Sequence, residues 1–213
     1  MCVVYSVGLA DDISFDLAVD ALGCEVFAYD HTIGHLPPTI DTLTNNIKWT
    51  QWGVGVLPEP PNPQQKYIKT FIDLLETNAH EYIDMLKIDI EGSEWAFLRE
   101  NLDNGELKKR VGQFCLEIHF ESQGHGVSES NIMVLEDLVH SGFELYYRSD
   151  NYIACPQVYW LPPEFGVEGV RRCHNICYIN KRFIAKVESV ETKTKTAKKP
   201  KTFKKKAKTP SHI

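Results

Sequence analysis

Met85-Leu86-Lys87-Ile88-Asp89-Ile90-Glu91-Gly92-Ser93-Glu94-Trp95 is the stretch on which the fold turns. It opens inside an apolar, strand-forming run, Tyr82–Ile90, and breaks at Gly92. From Ser93, a helix-capping residue, it continues as a helix with Trp95, Leu98 and Leu102 facing inward. Period two sets Lys87, Asp89 and Glu91 on one side of the strand. The following strand, Val111–Phe120, sets Cys115, Glu117 and His119 on one side likewise. Both strands are expected to be buried on both faces, so their ionisable residues need partners. Lys87 and Glu117 can pair with each other. Asp89, Glu91 and His119 fall at strand ends, where open α/β sheets bind ligands.

The same strand-to-helix alternation extends in both directions. Upstream, Cys2–Val7 is a strand stopping at Gly8. Residues 14–22 read as a helix with Phe15, Ala18, Val19 and Leu22 on one face, capped by Asp12 or Ser14 and ended by Gly23. Cys24–Tyr29 and Ile47–Val54 are the second and third strands. Asn62-Pro63 opens a helix presenting Ile68, Phe71, Ile72 and Leu75. Downstream lie a helix over 128–141 (Ile132, Leu135, Leu138, Val139), a sixth strand Phe143–Arg148 and a seventh, Asn175–Phe183. Alternating strands and helices specify a parallel sheet with right-handed crossovers and helices on both faces. The last two strands have only a loop between them, which favours antiparallel pairing in the edge region. Six parallel strands and one reversed is the Rossmann-like α/β arrangement of class I methyltransferases that use S-adenosylmethionine.

The first crossover discriminates among cofactors. A dinucleotide needs G-x-G-x-x-G, because its pyrophosphate lies against bare backbone N–H groups. Here Tyr5-Ser6-Val7-Gly8-Leu9-Ala10-Asp11-Asp12 offers one glycine and two acids. Carboxylates beside a pyrophosphate repel it by several kcal/mol at low effective dielectric. A nicotinamide oxidoreductase is thereby disfavoured. S-adenosylmethionine has no phosphate and carries a sulfonium and an ammonium, so Gly8 with nearby acids suits it. Tyr5, Ser6 and Gly8 are the expected first cofactor contacts. Asp30 ends the second strand 22 residues after Gly8, the place for a carboxylate that accepts ribose hydroxyls. Gly53 and Gly55 would leave room for the adenine edge.

The 213-residue chain is 43% apolar, which excludes a chain disordered throughout, and no run approaches the ~18–20 apolar residues of a membrane helix. Its net charge of -6 is unevenly spread. Residues 187–213 hold nine Lys and two acids, +7, leaving −13 on residues 1–186, the expected domain. The Lys-rich tail is expected to be disordered, serving either solubility or an anionic partner such as nucleic acid or a membrane surface. The acidic body repels phosphate backbones. Of six cysteines, Cys2, Cys24 and Cys115 read as buried thiols, while Cys155, Cys173 and Cys177 can supply one disulfide. With no signal peptide and no N-glycosylation sequon, the default setting is cytoplasmic. A secretory route applies should a targeting segment precede Met1.

Lys87-Ile-Asp89-Ile-Glu91-Gly92-Ser93-Glu94 resembles the K-I-D-[IV]-E-G-[AS]-E motif of FkbM-like methyltransferases, with the animal methyltransferase-like branch nearest. Val4-Tyr5-Ser6-Val7-Gly8, Ala28-Tyr29-Asp30, Leu116-Glu117-Ile118-His119 and Ser141-Gly142-Phe143 are similar to further landmarks of that branch. The resemblance covers residues 2–183 and implies S-adenosylmethionine as donor and transfer to oxygen. The acceptor would be a hydroxyl-bearing small molecule or glycan. Leu9-Ala10 departs from the family's fuller glycine loop. In such a reaction the protein aligns the reactants and takes the acceptor's proton. His119 or Glu91 is the candidate base, and Asp89 would hold the methionine end or the acceptor. A divalent cation is conceivable beside these carboxylates, but the spacing does not demand one, and no metal is expected. The loop Asn151–Arg172, with Tyr152, Tyr159, Trp160 and Phe165, is a candidate for acceptor selection or a lid. The competing reading is a non-catalytic module with the same fold, recruited through its basic tail.

Overall fold

The computed structural model describes residues 2–35, 46–57, 66–120, 129–151, 155, 158–160 and 169–184. Seven strands form the main sheet: β1 (Val3–Val7), β2 (Glu25–Tyr29), β3 (Ile47–Thr50), β6 (Ile83–Ile88), β7 (Val111–His119), β8 (Phe143–Asp150) and β11 (Cys173–Asn180). They lie in the order β3-β2-β1-β6-β7-β11-β8. Pairings from β3 through β7 are parallel. β11 runs antiparallel to both β7 and β8, one place in from the edge. This is the class I methyltransferase arrangement expected from the element order. Every residue of β1 is buried, as a central parallel strand requires.

Four further strands and five helices complete the described elements. They are β4 (Gly53–Val54), β5 (Ile68–Lys69), β9 (Val158–Trp160), β10 (Gly169–Arg171), α1 (Ser14–Ala21), α2 (Phe71–Thr77), α3 (Glu94–Asp103), α4 (Glu106–Arg110) and α5 (Glu129–His140). The larger core joins one sheet face (Tyr5, Val7, Leu86, Ile88, Phe114, Leu116) to α2, α3 and α5 through Phe71, Leu74, Phe97, Leu98 and Leu138. The smaller one gathers Val4, Val26, Ala28 and Ile47 on the opposite face, with Leu9, Ile13 and, from α1, Phe15 and Val19.

Several local expectations are corrected. The third strand ends at Thr50 rather than Val54, because Gly53–Val54 leaves the sheet to pair in parallel with Ile68–Lys69. Ile68 is thus a strand residue. The helix behind it starts at Phe71, where Thr70 and Asp73 form a reciprocal capping box. Asn62-Pro63 lies outside the described residues, as do the tail and most of the loop 151–172, including Tyr152 and Phe165. α1 turns Asp16 and Asp20 inward, while Ala18 is exposed and Leu22, beyond the last helical residue, is 82% exposed. The polar inward face meets Ser6 and the charge of Lys87, and burial is the main cause raising the Asp16 pKa.

The cysteines also depart from expectation. Cys2 pairs with Cys24 and Cys115 with Cys177, so Cys2, Cys24 and Cys115 are not thiols, while Cys155–Cys173 is the one disulfide expected of the late cysteines. Register explains two of the bonds. Cys115 and Cys177 are direct partners across the antiparallel β7–β11 ladder. Cys2 and Cys24 each precede one member of the Val3–Glu25 pair that opens the β1–β2 ladder.

Candidate active site

Gly8 ends β1 in the left-handed region, at φ +79°. Its N–H donates to Tyr29 O at 2.9 Å, and Asp89 N–H donates to Val7 O at 3.0 Å. Lys87 Nζ donates to Gly8 O. The ends of β1, β2 and β6 are thereby tied into one platform. Lys87 is used there rather than on Glu117, which instead accepts from Asn151 Nδ2 at 2.9 Å.

Asp30 organises the turn above this platform. One carboxylate oxygen accepts from Leu9 N–H at 3.0 Å and Ala10 N–H at 2.9 Å. The other accepts from Thr32 N–H at 2.7 Å and Thr32 Oγ1 at 2.6 Å. A carboxylate has about four lone-pair directions, and all are taken. Burial alone would raise its pKa, but the Thr32, Ala10 and Leu9 bonds outweigh that and hold it below the ordinary value. Asp30 therefore shapes the glycine turn with the oxygens that the sequence reading assigned to ribose.

A cavity of about 400 Å³ opens over these strand ends. Its lining includes Gly8, Asp30, Gly53, Asp89 and Glu91, which the sequence reading singled out, joined by His31 and Tyr67. Gly55 does not line it, and neither do Tyr5 and Ser6, whose side chains are fully buried. The Tyr5 hydroxyl lies 2.8 Å from His80 Nδ1, and burial pushes its pKa up to about 12. Among the described residues, Asp30, Asp89 and Glu91 are the acids of the lining, which includes no Lys or Arg. Such a wall suits a sulfonium and an ammonium and opposes a pyrophosphate. Drug-sized ligands occupy cavities of roughly 300–1,000 Å³, so an adenosyl amino acid fits.

The second half of the site rests on Glu94, a residue to which the sequence reading gave no role. It is fully buried at the start of α3. Its Oε1 accepts from Ile90 N–H at 2.8 Å and its Oε2 from Gly92 N–H at 2.8 Å. The same Oε1 stands 3.1 Å from His119 Nδ1. Ser93 occupies the N-cap position without a side-chain cap bond, and Glu94 satisfies the turn's amides instead. The missed signal was an acid in the first helical turn, directly after a turn containing Gly92. Trp95 Nε1–H donates to His119 O at 2.7 Å, fixing the end of β7 to the same helix.

Asp89, Glu91 and His119 do converge, each offering an atom within 4.8 Å of the others. Glu91 has φ +53°, an uncommon value for a residue other than glycine, and its side chain is largely exposed. His119 is 2% exposed, and its Nε2 lies 3.5 Å from Glu91 Oε2 and 4.0 Å from Glu117 Oε1. Burial pushes the Asp89 carboxyl up to about 6. Burial pulls the His119 imidazole down, but its bond to Glu94 and the charges of Glu94, Glu91 and Asp89 leave it raised.

Among curated proteins, the chain is 27% identical over 194 residues to the human "Probable methyltransferase-like protein 24", covering 85% of this chain and 51% of that protein. The rat protein of the same name gives the same identity and coverage. The chain thus spans about half the length of the curated relatives it matches. Among solved structures, it is similar to Aeropyrum pernix fibrillarin with bound S-adenosyl-L-methionine (14% identity, TM-score 0.45, 84% of this chain and 66% of that one). It is also similar to a putative rRNA-methylase from Clostridium thermocellum (10% identity, TM-score 0.46, 84% and 86%). The family described as "Methyltransferase domain" matches residues 1–158, and the chain belongs to that family.

Proposed function

We propose that the protein transfers a methyl group from S-adenosylmethionine to a hydroxyl oxygen of a small molecule or glycan. The observation that carries this reading is the convergence of Gly8, Asp30, Gly53, Asp89 and Glu91 on one acid-lined cavity at the strand ends. S-adenosylmethionine is the methyl donor, and when bound it supplies an electrophilic methyl on a sulfonium with a neutral thioether as leaving group. The platform of Gly8 and Asp89 seats the donor, and Asp30 keeps the turn over it ordered. Asp89 and Glu91 present negative charge to the ammonium and sulfonium. Asp89, in the cavity wall, is the group to take the proton of an acceptor hydroxyl, while His119, oriented by Glu94 and outside the lining, reaches it through Glu91 at 3.5 Å.

The −13 charge of residues 1–186 supports an uncharged or cationic acceptor over a nucleic acid. The Lys87–Glu94 motif supports the finer FkbM-like placement. Three disulfides support the secretory route over the cytoplasmic default. No described helix is long and apolar enough to cross a membrane.

Isothermal calorimetry with S-adenosylmethionine and its demethylated product tests the reading. Saturable binding of both is expected, together with methyl transfer to members of a polyol and glycan panel. An absence of binding at millimolar cofactor would return the chain to the non-catalytic module reading.

A further inference from the structure

We propose that Asp89, Glu91 and His119 form a binding site for a divalent first-row transition ion, of the Mn²⁺ or Zn²⁺ class. The first observation is a nitrogen held only at long range. His119 is 2% exposed, and while its Nδ1 is bonded to Glu94, its Nε2 has long ion-pair approaches to Glu91 and Glu117. The carboxylate oxygens nearest to it stand 3.5 and 4.0 Å away, too far for a good bond and suitably spread to share an ion. Donors about 2.0–2.2 Å from one metal lie roughly 3–4.4 Å apart. The Asp89, Glu91 and His119 donors all fall within 4.8 Å of one another, so a small side-chain adjustment closes the set.

The second observation is how the imidazole is held. Glu94, with no exposed surface, takes the Nδ1 side at 3.1 Å and is itself fixed by the amides of Ile90 and Gly92. With Nδ1–H donated to Glu94, the Nε2 lone pair points into the cluster. A buried carboxylate behind a histidine is the arrangement that orients and strengthens metal-ligating imidazoles.

Charge points the same way. Asp89, Glu91, Glu94 and Glu117 surround one imidazole, four carboxylates against the nearby Lys87 ammonium, which keeps its charge while donating to Gly8 O. A second group, Glu117, His119, Cys155 and Cys173, shares the same histidine, but its sulfurs are joined in a disulfide and do not compete. One imidazole with two carboxylates is a mixed nitrogen and oxygen set, which suits Mn²⁺ or Zn²⁺ better than Ca²⁺. Three protein ligands leave positions for water or an acceptor oxygen, whose proton the ion would make more acidic. That consequence rests on the methyl-transfer reading, whereas ion binding itself does not.

Chelator-treated protein titrated with MnCl₂, followed by calorimetry and by the electron paramagnetic resonance of free Mn²⁺, tests the site. One equivalent is expected to bind saturably, with Zn²⁺ competing. Glu91→Gln, at an exposed side chain, and Asp89→Asn should each weaken binding at least about tenfold, with folding checked by thermal melts. Failure of the unmodified protein to take up either ion at millimolar concentration overturns the proposal, as does unchanged affinity in both folded variants. A parallel titration with S-adenosylmethionine separates the two readings. Ion uptake without cofactor binding would sink the proposed function and leave the site standing. Cofactor binding without ion uptake would sink the site alone.

Discussion

A β-carbon built on Gly8 would lie 1.7 Å from the carbonyl oxygen of Asp89. The contact is with backbone, which no side-chain rotation relieves, and Gly8 also sits at φ +79°. Gly8→Ala must therefore push β1 and β6 apart where they form the cavity floor. A loss of about 2–4 kcal/mol in stability is expected, with cofactor binding weakened more than tenfold. Chemical denaturation and calorimetry on the same preparation check both.

Glu94 holds two amides and an imidazole without solvent contact. Glu94→Ala should cost about 3 kcal/mol or more, since it leaves buried donors unpaired, whereas Glu94→Gln should cost about 1–2 kcal/mol. Because the Glu94 bond and charge help raise the His119 pKa, both variants should lower it. Imidazole titration by NMR reads that shift, and an unchanged His119 pKa in Glu94→Gln would remove Glu94 as its positioning residue.

Asp89 is expected to trade stability for function. Burial first, then Glu117 and Glu94, outweigh Lys87 and His119 and lift its carboxyl from 3.8 to about 6. The folded state thus favours the protonated acid. Its contribution is fully present below the unfolded value and is lost as pH rises through about 6. Asp89→Asn should accordingly gain up to about 3 kcal/mol at neutral pH in chelator-containing buffer, and almost nothing near pH 4. Melting curves at the two pH values decide it, and methyl transfer should fall in the same variant.

Asp30→Ala removes every acceptor of the Leu9, Ala10 and Thr32 amides at once. Amide exchange at these three positions should accelerate, and cofactor affinity should fall by roughly 1–3 kcal/mol. Intact protection with unchanged affinity would show that the turn holds itself.

The Cys115–Cys177 bond closes a segment with a sequence separation of 62. Replacing both cysteines by serine should lower stability by about 2–4 kcal/mol through the freed unfolded chain. Denaturant midpoints measure the loss.

The sheet was legible because apolar runs and helical periodicity agree along most of the chain. Gly8, Asp30, Asp89 and His119 were findable as polar or flexible residues at strand ends. What escaped depended on contacts distant in sequence. Lys87 and Glu117 are of opposite charge on neighbouring strands, yet Lys87 takes a turn carbonyl and Glu117 an asparagine. Asp16 and Asp20 lie at ordinary surface-helix spacing, and only the neighbourhood of Ser6 and Lys87 marks Asp16 as an inward residue. Glu94 looks like any first-turn acid until the end of β7 is placed beside it. The Cys2–Cys24 and Cys115–Cys177 bonds were hidden for a similar reason, since alternation with apolar residues marks a cysteine as inward-facing without revealing the register that supplies its partner.

Among the described residues, the reversed strand β11 is the sole neighbour of β8 in the sheet and lies between it and β7. On a ribosome, residues 143–150 emerge before residues 173–180, so until then β8 rests on α5 and, through Phe143, on Phe114 of β7, without a ladder partner. Completion of the sheet therefore waits on residues 173–180, and a chain interrupted before Cys173 would leave the edges of β7 and β8 open to wrong pairing.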